Sequence, residues 1–166
     1  MKKKNIVFFG GSGFLGNYFC NVISSMGHKL VVIDTKYPKK KIKNIKYIKG
    51  DMCNKKLISK HIKKGSYVFN FAGNASIESS NEFPLEAQQA NIIGNSTILE
   101  VCKIKKISRY IYASSLYVFS KYGGFYKATK QSCEIMINEY NKNHKIPFTI
   151  IRFGSLYGPG AVKGNA

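Results

Sequence analysis

Acidic residues are scarce in this sequence: Asp and Glu number 8 against 27 Lys and Arg, a formal charge of +19 over 166 residues. Tryptophan is absent, and arginine is confined to Arg109 and Arg152. No apolar run approaches the ~18 residues of a membrane-spanning helix, so no membrane association is expected and the protein reads as soluble. The basic start Met1-Lys2-Lys3-Lys4-Asn5 is followed by only a short apolar stretch that runs into glycines, with no small-residue cleavage site. It reads as the lead-in to a strand rather than a signal peptide. Cys20, Cys53, Cys102 and Cys133 form no CxxC pair, which argues against a zinc site and a disulfide framework and fits reduced thiols in a cytoplasmic protein. His28, His61 and His144 are equally scattered, with no HExxH, and no protein-bound metal is expected.

The shortage of arginine also bears on the charge. Surfaces that grip phosphate in a planar fork favour arginine, whereas this excess is nearly all lysine, spread through loops and polar helix faces. Nucleic acid is therefore not expected as a partner. The densest run, from Lys36 to Gly50, is the one place where RNA or another polyanion would bind.

What is present is an alternation. "NIVFFG", "KLVVID", "IKYIKG", "YVFNFAG", "RYIYASS" and "FTIIRFG" read as six strands, and their near-continuous hydrophobicity is that of parallel strands buried on both faces. Between the first two, Phe14, Leu15, Phe19, Val22, Ile23 and Met26 recur at helical spacing, with Gly27 as a C-cap. Further helices are expected over Lys55 to Ile62, Leu85 to Ile104 and Tyr126 to Asn143. The expected fold is α/β: one domain with a doubly wound parallel sheet in three αβα layers, the Rossmann arrangement.

Two constellations sit on this frame. In "FFGGSGFLGN", Gly10, Gly13 and Gly16 follow a strand end and open a helix, as a dinucleotide-binding turn requires. Gly10 supplies backbone angles closed to other residues, Gly13 admits a pyrophosphate to the main chain, and Gly16 permits close helix packing. The free N–H groups of the helix start, at Phe14 and Leu15, would face the anion. Asp34 closes the second strand about 20 residues on, where its carboxylate can accept from ribose hydroxyls and repel a 2′-phosphate, favouring NAD over NADP. The lysines nearby leave NADP open. In the second constellation, "YASSLYVFSKYGGFYKATK", a strand ends at Ser114-Ser115 and a helix carries Tyr126 and Lys130 one turn apart. On a shared face the ammonium can lower the phenol's pKa and bind a nicotinamide ribose.

Together these residues resemble the extended short-chain dehydrogenase/reductase family, also called the NAD-dependent epimerase/dehydratase family. The match runs in order through "GGSGFLG", Asp34, "GDM", "FAG", "NIIGNSTILE", "ASSLYVF", the Tyr126 and Lys130 pair, and "RFGSLYGPG". The resemblance implies that Asp51 and Met52 sit at the adenine, that Phe71, Ala72 and Gly73 line the cofactor cleft, and that Asn91 contacts the cofactor from its helix. It implies hydride transfer at a sugar carbon, with Tyr126 as general base, Ser115 hydrogen-bonding the reacting oxygen, and Lys130 tuning Tyr126 and fixing the ribose.

Relatives that eliminate water from a nucleotide sugar carry carboxylates just after the catalytic Ser or Thr; here those positions are Leu116 and Tyr117. A nucleotide-sugar epimerase or ketoreductase is therefore expected over a dehydratase or decarboxylase. The chain departs from the common pattern at Phe9, Ser120 and Ser155, and Ser115 stands closer to Tyr126 than in many relatives. "YGPGAVKGNA" ends where relatives enter the segment that builds most of the sugar pocket. The expectation is a cofactor-binding portion with little turnover by itself, able to form a homodimer through its outer helices. A noncatalytic NAD(P) sensor or scaffold, and an RNA-binding relative using the Lys36 to Lys49 face, are the alternatives.

Overall fold

The computed structural model of the chain, which describes residues 3–161, forms one six-stranded sheet in the order β3-β2-β1-β4-β5-β6, every pairing parallel. The strands are β1 (Asn5–Phe9), β2 (Lys29–Asp34), β3 (Ile45–Lys49), β4 (Tyr67–Asn70), β5 (Arg109–Ser115) and β6 (Phe148–Phe153). They match the six apolar runs. The order reverses at β1, beside β4, so the C-terminal ends of those two strands part to leave the crevice where open α/β sheets bind ligands.

Alternation along β1 divides the core. Val7 and Phe9 pack with Ile33, Val68, Tyr110 and Tyr112 against α2 (Lys55–His61), α5 (Gly94–Lys105) and α6 (Gly124–His144). Ile6 and Phe8 point the other way, with Leu30 and Val32, onto Cys20 and Ile23 of α1 (Phe14–Ser25). On that second face Phe8, Phe19, Phe69, Phe71 and Phe153 form a chain of ring contacts, the closest pair being Phe8 and Phe71 at 4.8 Å between centroids. Both faces of the central strands are thus buried, which is why β1 and β2 read as nearly unbroken apolar runs, while the edge strands β3 and β6 carry Lys46, Lys49, Thr149 and Arg152.

Two elements were not apparent from periodicity. A short helix, α3 (Ile77–Glu82), is nearly all polar, and its signal is local: the Ser76 side chain accepts from the Ser79 N–H at its start. The expected helix from Leu85 to Ile104 is continuous from α4 (Pro84–Gln88) into α5 but passes through a wider π turn at Gln89–Ile93. Gly27, with φ +77°, closes α1 as expected by donating its N–H to the Ser24 carbonyl.

A buried polar knot joins the sheet to α5. The Tyr110 hydroxyl donates to Asn95 Oδ1 at 2.6 Å and accepts from Asn70 Nδ2 at 2.9 Å. Replacing Tyr110 with Phe withdraws a fully buried partner from both amides and is expected to cost about 1–3 kcal/mol. Urea denaturation will show this as a lower midpoint at unchanged slope; an unchanged midpoint would mean the knot is not stabilising.

Candidate active site

The crevice holds a cavity of about 750 Å³, within the range of small-molecule sites. One wall is the β1–α1 turn, with Gly10, Gly13, Phe14, Leu15 and Gly16 on its surface. Gly10 has φ +77°, and a side chain there would run into the backbone of Phe71 and Ala72 at the end of β4. A side chain at Gly16 would run into the Gly10 carbonyl, so this glycine lets α1 start directly against the turn. Gly13 differs: its nearest neighbour on the side-chain side is the Gly10 carbonyl oxygen at 3.5 Å, leaving open space toward the cavity. It is also the N-cap of α1 and offers no side-chain cap. The first backbone bond of the helix runs from the Asn17 N–H to the Gly13 carbonyl, so the N–H groups of Phe14, Leu15 and Gly16 precede the helical ladder. An anion at this helix start meets backbone donors and the positive end of the helix dipole.

Asp34 stands beside this turn at the end of β2. Its carboxylate accepts from the Ser12 N–H at 2.9 Å and the Lys36 N–H at 3.1 Å, which fixes it against the glycine loop. The Gly50 N–H binds the Asp34 carbonyl at 2.9 Å, bringing Asp51 to the neighbouring strand end. Asp51 is exposed and accepts from the Cys53 N–H at 2.8 Å, whereas Met52 is buried against Gly94 of α5. Asp34, Asp51 and Met52 therefore lie beyond the cavity lining, along the ends of β2 and β3.

On the β4 side, Phe71 and Gly73 line the cavity, while Ala72 lies behind, its N–H held by Asn70 Oδ1. Asn91 does not reach the lining. It sits in the π turn, 3 % exposed, and its amide is engaged on both sides: Oδ1 accepts from the Asn74 N–H at 2.8 Å, and Nδ2 donates to the Asn74 carbonyl and to Thr129 Oγ1. Expected at the cofactor, Asn91 in this structure fastens the loop after β4 to α6. The π turn permits this by displacing the local helical register.

The opposite wall carries Ser115, Tyr126 and Lys130 together. Ser115 is the last residue of β5, and its hydroxyl accepts from the Tyr117 N–H at 3.2 Å, starting a 3₁₀ turn over Leu116–Phe119. Tyr126 and Lys130 share the buried face of α6, and the Tyr117 ring meets Tyr126 edge-on at 6.2 Å. Burial pushes the Tyr126 phenol above its ordinary value, with the Ser115 hydroxyl pulling the other way. The expected depression by Lys130 is not seen in this arrangement. The ammonium donates to the Ala113 carbonyl at 2.8 Å and lies 5.8 Å from the Tyr126 ring centroid. Burial lowers Lys130 itself from 10.5 to about 8, against smaller opposing effects of Cys133 and Glu134.

Sequence inspection missed a brace behind this wall. Glu134, one turn beyond Lys130, accepts from the Ser114 hydroxyl at 2.6 Å and from the Arg152 guanidinium at 3.0 and 2.7 Å. Burial opposes the charged form of Glu134, but the Arg152 and Ser114 hydrogen bonds, with the Arg152 and Lys130 charges, hold its carboxyl below the usual range. The brace ties β5 and β6 to α6 and so sets Ser115 against Tyr126. Ser114 was quoted in the strand-end motif and Arg152 opens "RFGSLYGPG"; the Lys130-x-x-x-Glu134 spacing was the available signal. Among the described residues, no cluster of three His, Cys, Asp or Glu is placed to hold a metal, and no helix is long and apolar enough to cross a membrane.

The model of the NAD dependent epimerase/dehydratase family matches residues 6–166, and the chain belongs to that family. It is 27% identical, over 95% of its length, to the trifunctional UDP-glucose 4,6-dehydratase/UDP-4-keto-6-deoxy-D-glucose 3,5-epimerase/UDP-4-keto-L-rhamnose-reductase of Arabidopsis thaliana, of which it covers 28%. Among solved structures, it is similar to the UDP-N-acetylglucosamine 4-epimerase of Methanobrevibacter ruminantium in complex with UDP-N-acetylmuramic acid. That match has a TM-score of 0.84 at 26% identity, over 99% of this chain and 60% of that one. The UDP-glucose 4-epimerase of Thermus thermophilus in complex with NAD shares the fold, with a TM-score of 0.85 at 20% identity, over 96% of this chain and 59% of that one. The chain thus spans little more than half of these solved relatives.

The state of Lys130 can be read from stability. Because its folded pKa is near 8 and its unfolded value 10.5, the unfolded chain binds more protons between these values and stability rises with pH there. Below pH 8 the charged ammonium carries a penalty on the order of 3 kcal/mol, from the 10.5 to about 8 shift at about 1.4 kcal/mol per unit. Lys130→Met is therefore expected to gain in urea stability relative to the parent at pH 7, and this gain shrinks by pH 10. A difference that does not change with pH would contradict a depressed Lys130.

Proposed function

We propose that this member of the NAD-dependent epimerase/dehydratase family is the cofactor-binding portion of a nucleotide-sugar epimerase or ketoreductase that uses NAD. The observation that carries the reading is convergence: the glycine turn forms one wall of a cavity whose other wall presents Ser115, Tyr126 and Lys130. The residues present suit a dinucleotide. The open side of Gly13 and the uncapped start of α1 suit a pyrophosphate, and the Asp34 carboxylate beside the turn suits unphosphorylated ribose hydroxyls. The solved relatives in complex with NAD and with UDP-N-acetylmuramic acid support that choice of ligands.

When bound, NAD supplies the hydride acceptor and donor. The Tyr126 phenolate oxygen takes the proton from the sugar hydroxyl that becomes the carbonyl, and returns it in the reverse direction. Ser115 donates a hydrogen bond to that same oxygen, holding the reacting group against Tyr126. Burial opposes ionisation of Tyr126, so a cation one helical turn away is the group able to favour the phenolate; Lys130 occupies that position. Leu116 and Tyr117 bring no carboxylate to the end of β5, which supports epimerase or ketoreductase chemistry over elimination of water. Ile104 of α5 and Ile135 of α6 remain exposed, which supports pairing of two subunits through these helices.

The test is single-turnover reduction of protein-bound NAD on mixing with UDP-glucose, followed by nicotinamide absorbance. Tyr126→Phe is expected to slow this by about 10²- to 10⁴-fold while leaving NADH affinity within about twofold of the parent. Measurable reduction at equal rates in the two proteins contradicts Tyr126 as the base, and failure of the folded parent to bind NADH contradicts the cofactor-binding reading.

A further inference from the structure

The cavity is almost uncharged despite the excess of basic residues. Of the described side chains that line it, only Lys130 and Glu78 carry charge, and the Lys130 ammonium is bound to the Ala113 carbonyl. In a chain with 27 basic and 8 acidic residues, a carboxylate on the pocket wall runs against the composition. Glu78 is exposed and makes no hydrogen bond or ion pair with any other described residue, so it has no evident duty in holding the fold.

Its position puts it toward the sugar rather than the dinucleotide. Glu78 lies in the first turn of α3, and α3 docks on the start of α6: Asn81 Oδ1 accepts from the Phe125 N–H at 3.0 Å, next to Tyr126. A side chain at Gly124 would strike the Asn81 amide, so the two helices are held close. The glycine turn lies on the other wall. A group reaching from Tyr126 toward α3 therefore meets Ser76, Ile77 and Glu78.

We infer that Glu78 is a specificity-determining residue that selects a neutral sugar and excludes one bearing a carboxylate, such as a uronic acid. This rests on the nucleotide-sugar reading of the site. A carboxylate on the pocket wall repels a second one at close range while it accepts hydrogen bonds from sugar hydroxyls. The overall positive charge draws an anionic nucleotide in, and the local negative charge discriminates at its sugar end.

The experiment is calorimetric titration of the chain, with NAD present, by UDP-glucose and by UDP-glucuronate, which differ only in a hydroxymethyl or a carboxylate at one carbon. The parent is expected to favour UDP-glucose by at least about fivefold at low salt, a gap that narrows as salt is added. Glu78→Gln is expected to bring the ratio near one by tightening UDP-glucuronate, and Glu78→Lys to reverse it. A ratio unchanged in both variants overturns the role of Glu78 alone. Failure of both sugar nucleotides to bind a chain that still binds NADH overturns the nucleotide-sugar reading, and with it this inference.

Discussion

Three backbones meet at the end of β1 with no room for a side chain between them. Gly10 lies against the main chain of Phe71 and Ala72, and Gly16 lies under the Gly10 carbonyl. This double contact places the start of α1 at the crevice between β1 and β4, where the strand order reverses, and brings the loop after β4 to the same place. Asp34 then locks the turn from the other side through the Ser12 N–H. The wall built by the glycine turn follows from these close approaches, and a methyl group at either glycine would force the strand ends or the helix to move.

The facing wall is organised by hydrogen bonds rather than by backbone contact. Asn91 fastens the loop after β4 to α6, and Glu134 ties Ser114 of β5 and Arg152 of β6 to the same helix. Ser115 comes from β5 and Tyr126 and Lys130 from α6, and these links hold the two elements in one frame. The arrangement is costly at Lys130, whose ammonium is buried with a carbonyl as its hydrogen-bond partner. A buried lysine kept near neutral pH at the edge of ionisation, beside a buried tyrosine, is the type of pairing found where a proton is moved.

The sheet was legible because burial on both faces removes polar residues from its strands, leaving runs such as "KLVVID" that admit few other readings. The glycine turn and the one-turn spacing of Tyr126 and Lys130 were legible because each is set by local geometry. α3 was not, since six mostly polar residues carry no period, and its position depends on Asn81 reaching Phe125 across 44 positions. The π turn at Gln89–Ile93 leaves no mark on the hydrophobic pattern, so the contacts of Asn91 with Asn74 and Thr129 were not legible, and only the family resemblance spoke to Asn91. The Ser114–Glu134–Arg152 brace joins residues 18 and 20 positions apart, from strand to helix to strand; the Lys130-x-x-x-Glu134 spacing puts Glu134 near the site but does not name its partners.

The central claim is that the glycine turn with Asp34 forms an NAD site. It is tested most directly by fluorescence titration of the folded chain with NADH and with NADPH at moderate salt, alongside Asp34→Ala. The account predicts saturable binding that favours NADH, with the preference reduced or lost in the variant. No binding, or a preference for NADPH that is indifferent to Asp34, would contradict it.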